Sequence, residues 1–310
     1  MTSIKRVGVV GAGQMSQGIT EVCARAGLHV TLCDVTEDRA RAGLAGVADS
    51  LLKAEKRGTV APEGRTHALA GISATGDLSR LAESDLVIEA AVEDEQAKTA
   101  LFRRLDEVTD PGAVLAGNTS SIPIARLAAA TARPEAVVGL HFFNPVPLMP
   151  LVEIIPTLHT SEATERRARA FAGDLLGKTT ITTQDRAGFV VNSLLVPYLL
   201  AAVRMVGSGT TTARDIDTGM TAGCAHPLGP LHLADLIGQS GLLGRKSGQE
   251  FFATRRPERT AEAVPQAWGR LPRPPSPGRS RQRSVGGQRN AARPVTAWPT
   301  TRVCISLVPS

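Results

Sequence analysis

Residues 4–34 read IKRVGVVGAGQMSQGITEVCARAGLHVTLCD, and this stretch decides the fold. Residues 4–10 are apolar enough for a short buried strand. Gly11 to Gly13 form a turn, and 14–26 has the composition of a helix. His29 to Cys33 is a second strand, and it ends on Asp34. Strand, helix, strand in that order calls for parallel pairing through a right-handed crossover. The same alternation continues outward. Residues 36–57 and 94–108 read as helices, and Leu86–Ala90 and Val114–Ala116 as strands. Val137–Phe142 and Leu151–Ile155 are two further strands joined by the proline-rich Asn144–Pro150, followed by a helix at 161–176 and a strand at Thr179–Thr183. The expected architecture is α/β, a doubly wound parallel sheet over residues 1–186. From 187 to 252 only helical segments follow (189–206, 213–222 and 230–237), which predicts a smaller all-helical second domain.

Composition sets the outer limits. The chain has 310 residues, 42% hydrophobic and 21% charged, which is globular and long enough for two domains. The longest apolar run, Leu194 to Val206, is broken by Pro197, Tyr198 and Arg204 and is too short for a membrane span. No leader is visible ahead of the first strand. Cys23, Cys33, Cys224 and Cys304 are scattered, so neither a disulfide framework nor a metal site is expected, and a reducing cytoplasm fits. Residues 253–310 carry 11 Arg, no Lys and two acids, together with 9 of the 20 prolines. The net charge of +6 therefore belongs to this tail, not to the mildly acidic body. Disorder is expected there, because such sequence buries too little apolar surface to offset chain entropy. One reading makes the tail GC-rich coding sequence translated off-frame. The competing reading is an evolved basic tail, able to attract nucleic acid or an anionic membrane by charge alone. The tail carries no base-reading motif, so neither a specific nucleic-acid partner nor a membrane partner is expected.

The turn itself suggests a ligand. Gly11 permits a tight bend. Gly13 lets the backbone approach a pyrophosphate at the helix N-terminus, whose free N–H groups attract anions. Ser16 stands where the fingerprint has Gly or Ala. Asp34, 21 residues after Gly13, is placed to accept hydrogen bonds from a ribose 2′-hydroxyl and to repel a 2′-phosphate, which favours NAD over NADP. These features describe a Rossmann-like dinucleotide site, and alone they do not separate NAD from FAD. Oxidising an alcohol also needs a base. His141, at a strand end, is well suited, because an imidazole side chain in general can exchange a proton near neutral pH. Glu153 on the next strand can lie beside it, with Val152 and Ile154 facing the other way. Spacing alone also admits a strand-end histidine and a solvated glutamate. Ser120, in a loop after a strand, and Asn192, early in the second domain, are candidates to hold a substrate oxygen. A helix-cap serine and a satisfied amide remain open for them.

Taken together, GAGQMSQGI (11–19), DLVIEAAVEDEQAK (85–98), GNTSSI (117–122), GLHFFNPVPLMPLVEII (139–155), GFVVNSLLVPYL (188–199), DIDTGM (215–220), HPLGPLHLADLIG (226–238) and GRKSG (244–248) resemble the L-3-hydroxyacyl-CoA dehydrogenases, particularly the short-chain 3-hydroxybutyryl-CoA enzymes. The resemblance implies hydride transfer between an L-3-hydroxyacyl-CoA and NAD in fatty-acid metabolism, including β-oxidation. It makes His141 the general base and Glu153 its orienting partner, with Ser120 and Asn192 on the substrate oxygen. It puts Asp34, Glu93, Lys98, Ser120 and Asn144 in the NAD site, and Ser50 and Arg57 against coenzyme A. It also implies a homodimer joined through the second domain, which this chain carries in shortened form. Ser193 stands in place of an arginine, and little sequence separates Gly238 from Leu242–Gly248, where the family has further helix. Two alternatives stay open: an NAD-binding relative that has lost catalysis, and a dehydrogenase of a free hydroxy or sugar acid.

Overall fold

The computed structural model describes residues 4–237. The expectations for 238–252, including the Gly244–Gly248 motif, and for the 253–310 tail lie outside the described residues. Eight strands form one sheet in the order β3-β2-β1-β4-β5-β6-β7-β8. They are β1 (Arg6–Val10), β2 (His29–Cys33), β3 (Ile72–Thr75), β4 (Leu86–Glu89), β5 (Val114–Gly117), β6 (Val137–Phe142), β7 (Leu151–Pro156) and β8 (Thr179–Thr182). The chain order reverses between β1 and β4, and this switch opens a crevice beyond the strands' carboxyl ends.

Strands β1 to β6 pair in parallel, but β7 runs antiparallel to β6, and β8 is parallel to β7. The reason is the connection. A parallel return needs about a dozen residues or more. The segment between Phe142 and Leu151 is shorter and holds no helix, so the chain must fold straight back.

Helices cover both faces. On one face α1 (Gln14–Arg25) and α2 (Glu37–Lys56) pack Ile19 and Val47 in a cluster with Val7, Val9, Leu32, Leu86 and Ile88. On the other face α4 (Glu95–Val108) and the short α5 (Ile124–Ala128) pack Phe102, Leu105 and Leu127 over Val10, Val87 and Leu115. Alternation along β4 explains the split: Leu86 and Ile88 point one way and Val87 the other. α3 (Pro62–Ala70) leads into the edge strand β3, and α6 (Glu162–Ala170) into β8. The single helix expected at 161–176 instead ends as an α-helix at Ala170 and continues as a π-turn over Phe171–Leu175. α3 and β3 were not anticipated at all. β3 is four residues long and half-exposed, so it lacks the apolar alternation that marks a strand. Beyond the sheet, α7 (Val191–Gly207), α8 (Ala213–Cys224) and α9 (Pro230–Ile237) pack around Ala202, Ala213, Ile216 and Leu231. Among the described residues no helix is long and apolar enough to cross a membrane.

Candidate active site

The antiparallel register of β6 and β7 sets His141 directly opposite Glu153. Their neighbours Leu140, Phe142, Val152 and Ile154 turn into the core cluster that also holds Ala168 and Phe171, so the pair must project to the opposite face. His141 Nδ1 lies 2.6 Å from Glu153 Oε2. The Glu153 side chain is fully buried, yet both of its oxygens are used. Oε1 accepts the backbone N–H groups of Val190 and Val191, each at 3.0 Å. Those two amides are aimed by Gly188 and Phe189, both left-handed at φ 78° and 48°. Phe189 is not a glycine, and its conformation there is uncommon. Its ring contacts the His141 ring at a centroid distance of 5.3 Å, and the Phe143 ring does so at 4.6 Å.

Burial works against charge on Glu153, but hydrogen bonds from His141 and from the Val191 and Val190 amides outweigh it and hold the carboxyl below its ordinary range. An ionised Glu153 has no proton to give, so Nδ1 carries the hydrogen and Nε2 keeps its lone pair. The pair is thus built to accept one proton at Nε2 and to stabilise the resulting cation.

Ser120 is exposed in the loop after β5. That loop is tied to the His141 strand because Asn118 Oδ1 accepts the Phe142 N–H at 2.9 Å. Its conformation is set by Glu93. Glu93 Oε1 takes the Thr119 hydroxyl at 2.5 Å, the Ser121 hydroxyl at 2.8 Å and the Ser120 amide at 3.2 Å. Burial opposes ionisation of Glu93 too, and the two hydroxyls and the Lys98 charge overcome it. Asn192 lies in the first turn of α7, beside the two amides that Glu153 holds. Among the described residues neither Ser120 nor Asn192 is hydrogen-bonded to His141.

Lys98 is held between two acids. Its ammonium is fully buried, 2.6 and 2.9 Å from the two oxygens of Glu89 and 3.4 Å from Glu93 Oε2. Its contact with Glu93 ties it to the loop that carries Ser120. The helical spacing of Lys98 says nothing about depth, and the buried partner Glu89 carried no sequence signal.

At the other end of the crevice, Gly11 has φ 107°, and a Cβ there would lie 2.7 Å from the Ala90 carbonyl oxygen. Gly13 is the N-cap of α1. No side chain caps the helix, and a Cβ at Gly13 would meet nothing within 4 Å. Free amides facing open space fit a pyrophosphate. Ser16 is buried, and its hydroxyl donates to the Ala90 carbonyl at 3.0 Å, so the departure from glycine is paired. Asp34 ends β2, nearly buried. Its Oδ1 accepts the Val35 N–H at 2.7 Å and pairs with Arg39 Nε at 2.9 Å, a partner that sequence reading missed. The residues present therefore fit a dinucleotide.

Ser50 and Asn144 share a cavity of about 230 Å³, which Gln17 and Lys53 also line. Arg57 does not line it. Arg57 caps the carboxyl end of α2, exposed, with Nε donating to the Lys53 carbonyl at 3.1 Å.

Known proteins resemble this chain over most of its length. Residues 6–186 match the model of the 3-hydroxyacyl-CoA dehydrogenase NAD-binding domain, and residues 188–266 match that of the 3-hydroxyacyl-CoA dehydrogenase C-terminal domain. A 3-hydroxybutyryl-CoA dehydrogenase of Mycobacterium tuberculosis is 52% identical over 281 residues, covering 81% of this chain and 98% of the relative. That alignment is longer than the part of this chain that enters it, so some of the relative lies opposite a gap. Among solved structures, M. tuberculosis FadB2 superposes with a TM-score of 0.79 at 47% identity, covering 81% of this chain and 99% of that one. The (S)-3-hydroxybutyryl-CoA dehydrogenase PaaH1 of Ralstonia eutropha gives 0.73 at 42% identity, over 76% and 83%.

Proposed function

The chain belongs to the 3-hydroxyacyl-CoA dehydrogenase family, and from that premise we propose that it interconverts L-3-hydroxyacyl-CoA, chiefly 3-hydroxybutyryl-CoA, with 3-oxoacyl-CoA. Bound NAD supplies the hydride acceptor. The chain's own residues do the rest. His141 Nε2 takes the proton of the substrate hydroxyl, and Glu153 stabilises the imidazolium through Nδ1. Ser120 and Asn192 hold the substrate oxygen as it becomes a carbonyl. The open N-terminus of α1 at Gly13 binds the pyrophosphate, with Gly11 shaping the turn, and Asp34 binds the adenosine ribose. Glu93 and Asn144 line the cofactor side, with Lys98 acting through Glu93. Ser50 and Arg57 meet the coenzyme A portion, where a guanidinium suits phosphate.

The observation that supports this reading most is the 2.6 Å His141–Glu153 contact at the carboxyl end of the parallel strands. Residues 1–186 form the NAD domain in this account, and 187–252 the substrate and dimerisation domain. The protein works in the cytoplasm, in fatty-acid β-oxidation, as a homodimer.

The test follows absorbance at 340 nm while purified protein oxidises NADH with acetoacetyl-CoA, with free acetoacetate as the control. Turnover with the thioester and none with the free acid is expected. NADH binding without turnover would instead indicate a relative that has lost catalysis, and turnover of free acetoacetate a different substrate class.

A further inference from the structure

The acid at the end of β2 does not stand alone. Arg39, in the first turn of α2, reaches back so that its Nε sits 2.9 Å from Asp34 Oδ1. Its backbone is fixed, because the Arg39 N–H donates to Thr36 Oγ at the helix N-cap. Its side chain is 65% exposed, against 7% for Asp34. Asp34 Oδ1 is shared between Arg39 and the Val35 amide, while among the described residues Oδ2 accepts nothing. That leaves one carboxylate oxygen for ribose hydroxyls and one guanidinium, mostly solvated, at the same spot. Of the two acids in the first turn of α2, Glu37 and Asp38, Glu37 is paired with Arg41 at 2.8 Å.

A phosphate on the 2′-oxygen would bring about two negative charges against Asp34. It would also come within reach of a guanidinium, whose planar fork suits phosphate oxygens. The N-terminus of α2 adds a further favourable field for an anion. We propose that Arg39 is a latent 2′-phosphate ligand that Asp34 holds in check, so that a single carboxylate sets the preference for NAD over NADP. Neutralising Asp34 turns the chain towards NADP(H) without any new residue. The inference rests on the proposed NAD-dependent reading.

The test uses the full chain and reads binding rather than turnover, through the fluorescence of the reduced nicotinamide. NADH and NADPH are titrated into wild type, Asp34→Asn, Arg39→Ala and the double variant. Wild type binds NADH at least about tenfold more tightly than NADPH. Asp34→Asn raises NADPH affinity by about tenfold and lowers NADH affinity, a shift expected for one charge-assisted contact. The double variant loses the NADPH gain, and Arg39→Ala alone weakens NADPH binding while sparing NADH. Should Asp34→Asn fail to fold, Asp34→Ser and the Arg39→Ala arm carry the same comparison. An unchanged NADPH affinity in Asp34→Asn, or a double variant as good as the single, overturns the proposal. A wild type that binds neither dinucleotide overturns the cofactor reading beneath it.

Discussion

The sheet and the α7–α9 segment rest on unequal foundations. Each face of the sheet buries a broad apolar cluster under helices. Around α7–α9, the buried cluster among the described residues is Ala202, Ala213, Ile216 and Leu231. On the same helices Leu194 is 71% exposed, and Leu200, Met205 and Leu236 are each more than 40% exposed. The difference teaches where the chemistry is anchored. His141, Glu153 and the dinucleotide end are all fixed by strands whose positions the sheet determines. The helical segment joins them at a seam, through the Val190 and Val191 amides on Glu153 and through the Phe189 ring against His141. Glu153 thus serves both regions: one oxygen sets the histidine and the other caps the incoming helix.

The sharpest break of that comparison is on the sheet side. His141→Ala lowers turnover by roughly 10²–10⁴ and leaves NADH affinity close to wild type, as steady-state rates beside fluorescence titration will report. Next come matched truncations. Leu115→Ala and Leu231→Ala each delete a fully buried side chain, at a cost of about 2–5 kcal/mol. The first is expected to lower the global denaturation midpoint and NADH binding together. The second is expected to spare NADH binding and lower turnover, because local opening of α7–α9 leaves the sheet intact. If both variants lose NADH binding equally, the two regions are one cooperative unit and the contrast drawn here fails.

Glu153→Gln probes the seam. The amide still accepts from the two backbone N–H groups but cannot stabilise an imidazolium, so turnover falls by about 10–10² while α7 stays docked. Acid dependence follows from the lowered carboxyl of Glu153. Its stabilisation is complete above the ordinary value of 4.5 and is lost as pH falls through the lower folded value. Thermal scans should therefore show wild type and Glu153→Gln fully separated above 4.5 and converging as the pH falls beneath it. The smallest effect is expected at Ser16→Ala, which removes the hydroxyl donor to Ala90 and costs about 1 kcal/mol.

Much of this is legible in the amino-acid sequence. The β1–α1–β2 unit shows in its glycines and apolar runs, because a buried parallel strand and a turn with positive φ each demand particular residues. The His141–Glu153 juxtaposition was readable because a short, proline-rich connection forces an antiparallel return, and alternation then puts both on one face. What was missed has physical reasons too. β3 is an edge strand with no buried face to pattern it. The burial of Lys98 was not readable, because its depth depends on Glu89, nine residues away and on a different element. Arg39 looked like one more cation on a charged helix, since nothing in its spacing shows that it folds back on Asp34. Phe189 reads as an ordinary apolar residue, and its left-handed backbone appears only once the turn onto α7 is built.

The most direct measurement is the ¹⁵N NMR spectrum of His141 in protein with labelled histidine, assigned by the loss of its signals in His141→Ala. At pH above the imidazole titration the account requires hydrogen on Nδ1 and a bare lone pair on Nε2, with Glu153→Gln abolishing that preference. A spectrum showing the Nε2–H tautomer in wild type would contradict it, since the nitrogen meant to receive the substrate proton would already be occupied.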